Sequence, residues 1–109
     1  MKHLKTFEKY INFDDLIHKY EKYLNKFFLS SHKLIHDEIF MCKLIKIKKD
    51  FISFEYYEFD ESRKGYEVSD NSIHIRDFDK YYKILNSFDT FKEMEEKYEI
   101  INNAKKYNL

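Results

Sequence analysis

The chain of 109 residues has one cysteine, one glycine and two arginines, and neither proline nor tryptophan. A single cysteine excludes an internal disulfide framework and a cysteine-rich zinc site. A single glycine excludes a P-loop and a dinucleotide fingerprint, which need several glycines for close backbone approach to phosphate. With only Arg63 and Arg76, bidentate forks for carboxylate or phosphate are scarce, and major-groove base reading favours Arg. Charge of one sign is missing too: 20 Lys and Arg balance 20 Asp and Glu, which removes the whole-molecule case for a nucleic-acid or membrane-surface binder. The longest apolar run is about four residues, against roughly 20 needed to span a bilayer. No apolar stretch follows Met1 as a signal peptide requires, so the expectation is a cytoplasmic chain with no membrane partner.

Aromatic residues are abundant instead, 11 Phe and 10 Tyr. Lys, Ile, Phe, Tyr and Asn, all spelled by A/T-rich codons, dominate, whereas Gly, Ala, Arg and Pro together supply four residues. Base composition therefore accounts for most of the aromatic content and points to a low-GC bacterial source or one of its mobile elements. Some Tyr should still lie at the surface, where an amphipathic ring suits a protein interface. Few glycines, no proline and periodic apolar residues argue against disorder despite 37% charged residues. No linker or repeat divides the chain, and residues 1–109 read as a single α+β domain.

Leu4, Phe7 and Ile11 have the spacing of a short first helix. Asn12 then reads as an N-cap, followed by Asp14 and Asp15 and by apolar residues at helical spacing from Phe13 through Phe27 and Phe28. This predicts an N-terminal amphipathic helix stopped at Ser30-Ser31. From Ile39 the period changes to that of a strand. Ile39–Lys48 and Phe51–Phe59 fold about Lys49-Asp50 with Ile47 opposite Ile52, Ile45 opposite Phe54 and Lys46 opposite Ser53. Glu61–Gly65 reads as the next turn. A second hairpin is expected to set Tyr66 and Val68 against Ile75 and Ile73 across a loop at Ser69–Ser72, bringing Glu67 beside His74.

Helical spacing returns at Phe78, Tyr81, Tyr82, Leu85 and Phe88, although Tyr82–Asn86 also suits an edge strand. Thr90-Phe91-Lys92-Glu93 is a capping-box pattern opening a last helix through Met94, Tyr98 and Ile101, with Lys105 and Lys106 at its negative end. The expected architecture is a helix, an antiparallel meander of three or four strands, and one or two C-terminal helices packed on one sheet face.

Three sets of residues are candidates for function. The first is acidic. Residues 55–79 hold eight carboxylates against three basic side chains, and residues 1–54 carry +4 where 55–109 carry −4. Glu55, Tyr57, Glu58, Asp60, Glu61 and Glu67 then form a Tyr-containing acidic face suited to a basic protein partner, since such fields steer association and set register. The second is a lysine-rich strand of Lys43, Lys46, Lys48 and Lys49, an alternative nucleic-acid surface with nearby rings for stacking. The third is His32, His36 and Cys42, whose His-x3-His spacing begins many zinc sites. Glu67 with His74 adds a carboxylate–imidazole pair able to orient a general base, without a nucleophile or phosphate loop to complete it.

The leading expectation is a small non-enzymatic interaction module with no cofactor and no catalytic residues. It would be of the kind a phage or mobile element uses to inhibit a host protein or defence complex. Nucleic-acid binding is the alternative, and a small metal-dependent enzyme the third reading. Aromatic-rich helices and sheet edges also suit a symmetric homodimer.

Overall fold

The computed structural model describes residues 13–35 and 38–107. The expected first helix at Leu4–Ile11, the Asn12 cap, and His36 and Asp37 lie outside the described residues, as do the side chains of Lys105 and Lys106.

Asp14 and Asp15 place negative charge at the start of helix α1 (Phe13–Glu21), and its Leu16 and Tyr20 are buried one turn apart. The helix is shorter than its apolar spacing predicts. A turn follows in which Asn25 takes φ 63°, a left-handed conformation that Asn tolerates better than most residues. Asn25 N–H donates to Leu44 O and Leu44 N–H donates to Lys26 O, so the chain leaves the helix already paired to a strand. Strand β1 (Phe27–His32) starts there, and Ser30-Ser31, read as a helix stop, sit inside it. Phe28 and Leu29 are both fully buried, on opposite faces of the sheet. A strand covered on both faces shows no alternation, which is why Phe27 and Phe28 pass equally well for the end of a helix.

Strands β2 (Ile39–Lys48) and β3 (Phe51–Asp60) form the hairpin expected from the sequence, with a two-residue connection at Lys49-Asp50. Ile47 faces Ile52 and Lys46 faces Ser53 as predicted. Phe54, however, faces Leu44 rather than Ile45, because the register shifts between Leu44 and Lys46. Ile45 is the extra residue of a β-bulge and is left exposed.

After a turn at residues 61–64, β4 (Gly65–His74) runs back along β3 without interruption. No loop forms at Ser69–Ser72, which instead pair with Tyr56–Ser53. As an edge strand, β4 can carry the exposed polar run Glu67–Ser72 that a central strand could not. The predicted second hairpin is therefore absent. Tyr66 faces Phe59, Glu67 faces Glu58, and His74 faces Phe51. Glu67 and His74 lie seven residues apart on one strand, roughly 23 Å.

His74 caps helix α2 (Ile75–Tyr81), its Nδ1 accepting from Arg76 N–H at 3.3 Å. The chain then forms β5 (Tyr82–Phe88), the edge-strand alternative, antiparallel to β1. The sheet thus has five antiparallel strands in the order β4-β3-β2-β1-β5, one more than the longest meander expected. Thr90 opens α3 (Phe91–Tyr107) as its sequence predicts: Glu93 N–H donates to Thr90 Oγ1, whose hydroxyl donates back to Glu93 Oε1.

The fold is α+β as expected, but the helices cover both faces of the sheet rather than one, because apolar neighbours such as Phe28 and Leu29 point to opposite sides. One core joins Leu16 and Tyr20 of α1, Ile75 and Phe78 of α2, and Phe28, Cys42, Leu44 and Ile52 of the sheet. On the other face Met94 of α3 closes over Leu29 and Met41. The division follows from residue neighbours: Phe28 and Leu29, then Met41 and Cys42, need cover on opposite sides. Among the described residues no helix is long and apolar enough to cross a membrane.

Candidate interaction surface

The β3–β4 hairpin holds all six residues of the predicted acidic face, but strand parity divides them. Glu55 and Tyr57 lie on the α3 side of β3, whereas Glu58 and its cross-strand neighbour Glu67 lie on the α1–α2 side. Asp60 ends β3, paired with Gly65, and Glu61 opens the connecting turn. Tyr57 is not a free surface ring: it packs at 5.1 Å from Phe91 and 6.2 Å from Phe27, and its hydroxyl donates to Glu55 Oε1 at 2.7 Å. Burial, then the Glu55 hydrogen bond, raises its pKa above the usual tyrosine range. Tyr56 donates to Glu58 Oε2, and burial followed by that bond pushes its phenol up to about 12. Tyr66 likewise donates to Glu95 Oε2, pinning the hairpin to α3.

At the turn, Ser62 donates to Asp60 Oδ1 from both its hydroxyl and its N–H, which holds the Asp60 carboxyl below its ordinary range. Arg63 reaches Asp60 at 3.7 Å and Glu67 at 3.8 Å, an exposed and weak pairing.

Beyond these contacts the hairpin opposes like charges. Glu58 faces Glu67, and Glu55 faces Asp70. Carboxylates directly opposite on adjacent strands are destabilising. The strand that carries two of them, β4, is also a ten-residue edge with an unbroken register, and Glu67–Ser72 are all exposed. It has no proline, lysine or bulge, and of the devices by which edge strands resist pairing it keeps only charge, the carboxylates of Glu67 and Asp70. The opposite edge is better guarded: β5 is shorter, carries Lys83, and shifts register where Leu85 bulges between Asn86 and Ile84. The asymmetry singles out β4. The sequence reading missed it because Ser69-Asp70-Asn71-Ser72 has the composition of a loop.

The lysine set is arranged by the bulge at Ile45. The extra residue brings Lys43, Lys46 and Lys48 to the same side of β2, facing Glu55, Ser53 and Phe51 in turn. Lys43 is half-buried, with its Nζ 5.1 Å from the centre of the Phe27 ring. Lys46, Lys48 and Lys49 border an open groove of about 530 Å³ with Phe51, Ser53 and Ser72. Phe51 is 49% exposed there.

The candidate metal ligands do not converge. Cys42 and His32 point to the same face but lie four ladder positions apart, roughly 13 Å along the strand. Burial pushes the Cys42 thiol up to about 12. His32 Nδ1 accepts from Leu34 N–H at 3.1 Å, and its ring stacks on Tyr81. His36 lies outside the described residues. Among the described residues no three His, Cys, Asp or Glu side chains could hold a metal ion together.

Asp79 carries the densest set of polar contacts, and it holds two helices together. Lys19 Nζ and Tyr20 Oη of α1 both donate to its Oδ1, at 2.7 and 2.6 Å, and Lys33 Nζ donates to its backbone carbonyl. Burial alone would raise the Asp79 pKa, but the Lys19 and Tyr20 hydrogen bonds and the Lys19 and Lys33 charges outweigh it and lower the pKa. No protein-family model, curated protein or solved structure matches the chain.

Proposed function

We propose that the chain is a non-enzymatic protein-interaction module that docks a basic, extended segment of a protein partner along β4. The observation that carries this reading is the combination on one strand of a ten-residue edge without lysine, proline or bulge and two cross-strand carboxylate pairs. An added strand would satisfy the outward backbone groups of β4, and its Lys or Arg side chains would relieve Glu58–Glu67 on one face and Glu55–Asp70 on the other. The acidic charge disfavours a second copy on this edge, since two copies of β4 would bring Glu67 and Asp70 of each together. A homodimer would use another surface. The amino-acid composition, dominated by residues that A/T-rich codons spell, fits a low-GC bacterium or one of its mobile elements, and for a phage or mobile-element protein a cytoplasmic host protein or defence complex is the fitting target. The test is recovery of a stoichiometric partner by the tagged chain from nuclease-treated low-GC bacterial lysate, compared with the Glu67→Lys/Asp70→Lys variant. Loss of that partner in the variant supports the reading, and equal recovery overturns it.

A second reading has one specific observation behind it, the bulge that aligns Lys43, Lys46 and Lys48 beside exposed Phe51. Single-stranded nucleic acid would lay its phosphates along the lysines and stack a base on Phe51. Binding of this kind is abolished by nuclease and falls steeply with salt.

A further inference from the structure

The face of the sheet beneath α2 is not completely filled. A pocket of about 260 Å³, open to solvent on one side, lies there, walled by Phe40, Phe54, Tyr56, Phe78 and Tyr82. These rings touch in sequence around it. Phe54 meets Phe78 at 5.7 Å, Phe78 stacks on Tyr82 at 5.5 Å, Tyr82 meets Phe40 at 6.5 Å, and Phe40 meets Tyr56 at 5.6 Å. Tyr56 and Phe54 are next neighbours on one side of β3, which closes the circuit.

The lining is completed by Ser30, Cys42 and Asn71, with no charged side chain. Ser30 is 2% exposed, and its Oγ has no hydrogen-bond partner among the described residues. Buried hydroxyls are nearly always paired, so an orphan facing a cavity marks a place where a partner is missing. At the floor of the pocket a water would find only Ser30 Oγ and the weakly polar thiol of Cys42 among the buried lining side chains, fewer firm protein contacts than ordered waters usually make. An apolar cavity of about 150 Å³ accommodates benzene, so the larger space here has room for a two-ring molecule.

We propose that this cavity binds a neutral, planar aromatic molecule of one or two rings carrying a single N–H or O–H, of the indole or phenol class, with that group hydrogen-bonded to Ser30 Oγ. The aromatic walls match its faces, and the absence of charged groups from the lining excludes an ionised carboxylate or phosphate, whose desolvation nothing here would offset. This site goes beyond the protein-docking edge. It concerns a small molecule and lies on the α1–α2 face of the sheet, against Phe78 of α2.

The absence of tryptophan makes the test direct, because indole fluorescence can be excited to the red of tyrosine absorption without a protein signal. Titrating the full chain with indole should give a saturable blue shift as the probe leaves water. Indene, the same shape without the N–H, should compete at about five- to tenfold weaker affinity, the worth of one hydrogen bond. Ser30→Ala should weaken indole by the same factor and leave indene within twofold. Asn71→Phe, at an exposed position on the cavity wall, should exclude both. The comparison of indole with indene on the unaltered chain stands even if Ser30→Ala does not fold. No saturable shift, equal affinity for indole and indene, binding unaffected by Asn71→Phe, or displacement of indole by tetramethylammonium would each overturn the proposal.

Discussion

Reversing the two β4 carboxylates should make the fold more stable while abolishing the proposed docking along β4. Glu67 and Asp70 stand opposite Glu58 and Glu55. Directly opposed residues have Cβ atoms about 5 Å apart, and like unit charges near 6 Å repel by about 0.7 kcal/mol in water. Glu67→Lys and Asp70→Lys turn each repulsion into an attraction of similar size. Screening at physiological salt, with a Debye length of about 8 Å, removes roughly half of the change. Glu67→Lys also gives up the 3.8 Å Arg63 contact, which is exposed and worth a few tenths of a kcal/mol at most. The double variant should therefore gain about 1 kcal/mol, a rise in Tm of about 4–8 °C for a domain of this size. Thermal melts followed by far-UV circular dichroism, in low and in high salt, measure this, and the gain should shrink as salt rises. A Tm that falls at both ionic strengths would refute the charge argument. A higher Tm with undiminished partner recovery would refute the docking argument alone, because improved folding then coexists with intact binding.

Other outcomes follow from single contacts. Met94 is fully buried between Leu29 and Met41, so Met94→Ala should cost about 2–5 kcal/mol in urea unfolding and loosen α3 first, visible as faster amide exchange over residues 91–104. Asp79→Asn should cost about 1–3 kcal/mol at neutral pH by removing the charged acceptor of Lys19 and Tyr20. Because the folded Asp79 pKa is lowered, its stabilisation is complete above the unfolded value near about 4 and is lost as pH falls through the folded value. The acid limb of stability should accordingly be shallower in Asp79→Asn, and an unchanged limb would sink the assignment. Tyr56, Tyr57 and Tyr66 have raised pKa values, so their contribution is complete below the unfolded value near about 10 and is lost as pH climbs toward the folded ones. Spectrophotometric titration should show these phenols ionising together with alkaline unfolding. Lys64 takes φ 54° in the β3–β4 turn, and Lys64→Gly should raise stability by up to about 1 kcal/mol by removing the left-handed strain.

Local rules governed what could be read from the sequence. The Lys49-Asp50 connection, the pairing of Ile47 with Ile52, the turn before Gly65 and the Thr90 cap each depend on a few neighbouring residues, and each is present. What escaped depends on distant cover. Phe27-Phe28-Leu29 is buried on both sides because α2 and α3 arrive from the far end of the chain, so β1 lacks the alternation of a half-exposed strand. Tyr82–Phe88 continues the spacing of α2 until pairing with β1 takes it into the sheet. Ser69–Ser72 has the composition of a turn and becomes strand because its whole length can pair with β3 while its other side stays wet.

The candidate surface was legible by residue type but not by arrangement. Alternation along β3 already separates Glu55 and Tyr57 from Glu58, so a common acidic face was excluded by parity alone. The carboxylate oppositions required knowing that β4 is one strand and that the turn has four residues, which fixes Glu58 against Glu67 and Glu55 against Asp70. The aromatic content has a structural use after all. Five rings line the pocket over Ser30, and Phe27, Tyr57, Tyr66 and Phe91 form a second chain of contacts under α3. Codon bias can fill a chain with Phe and Tyr, but it does not dictate that five of them leave a space around a buried hydroxyl. Nor does it dictate that the one long edge without a lysine should also be the acidic one. Both features run against what stability alone favours, and such places are where function is to be sought.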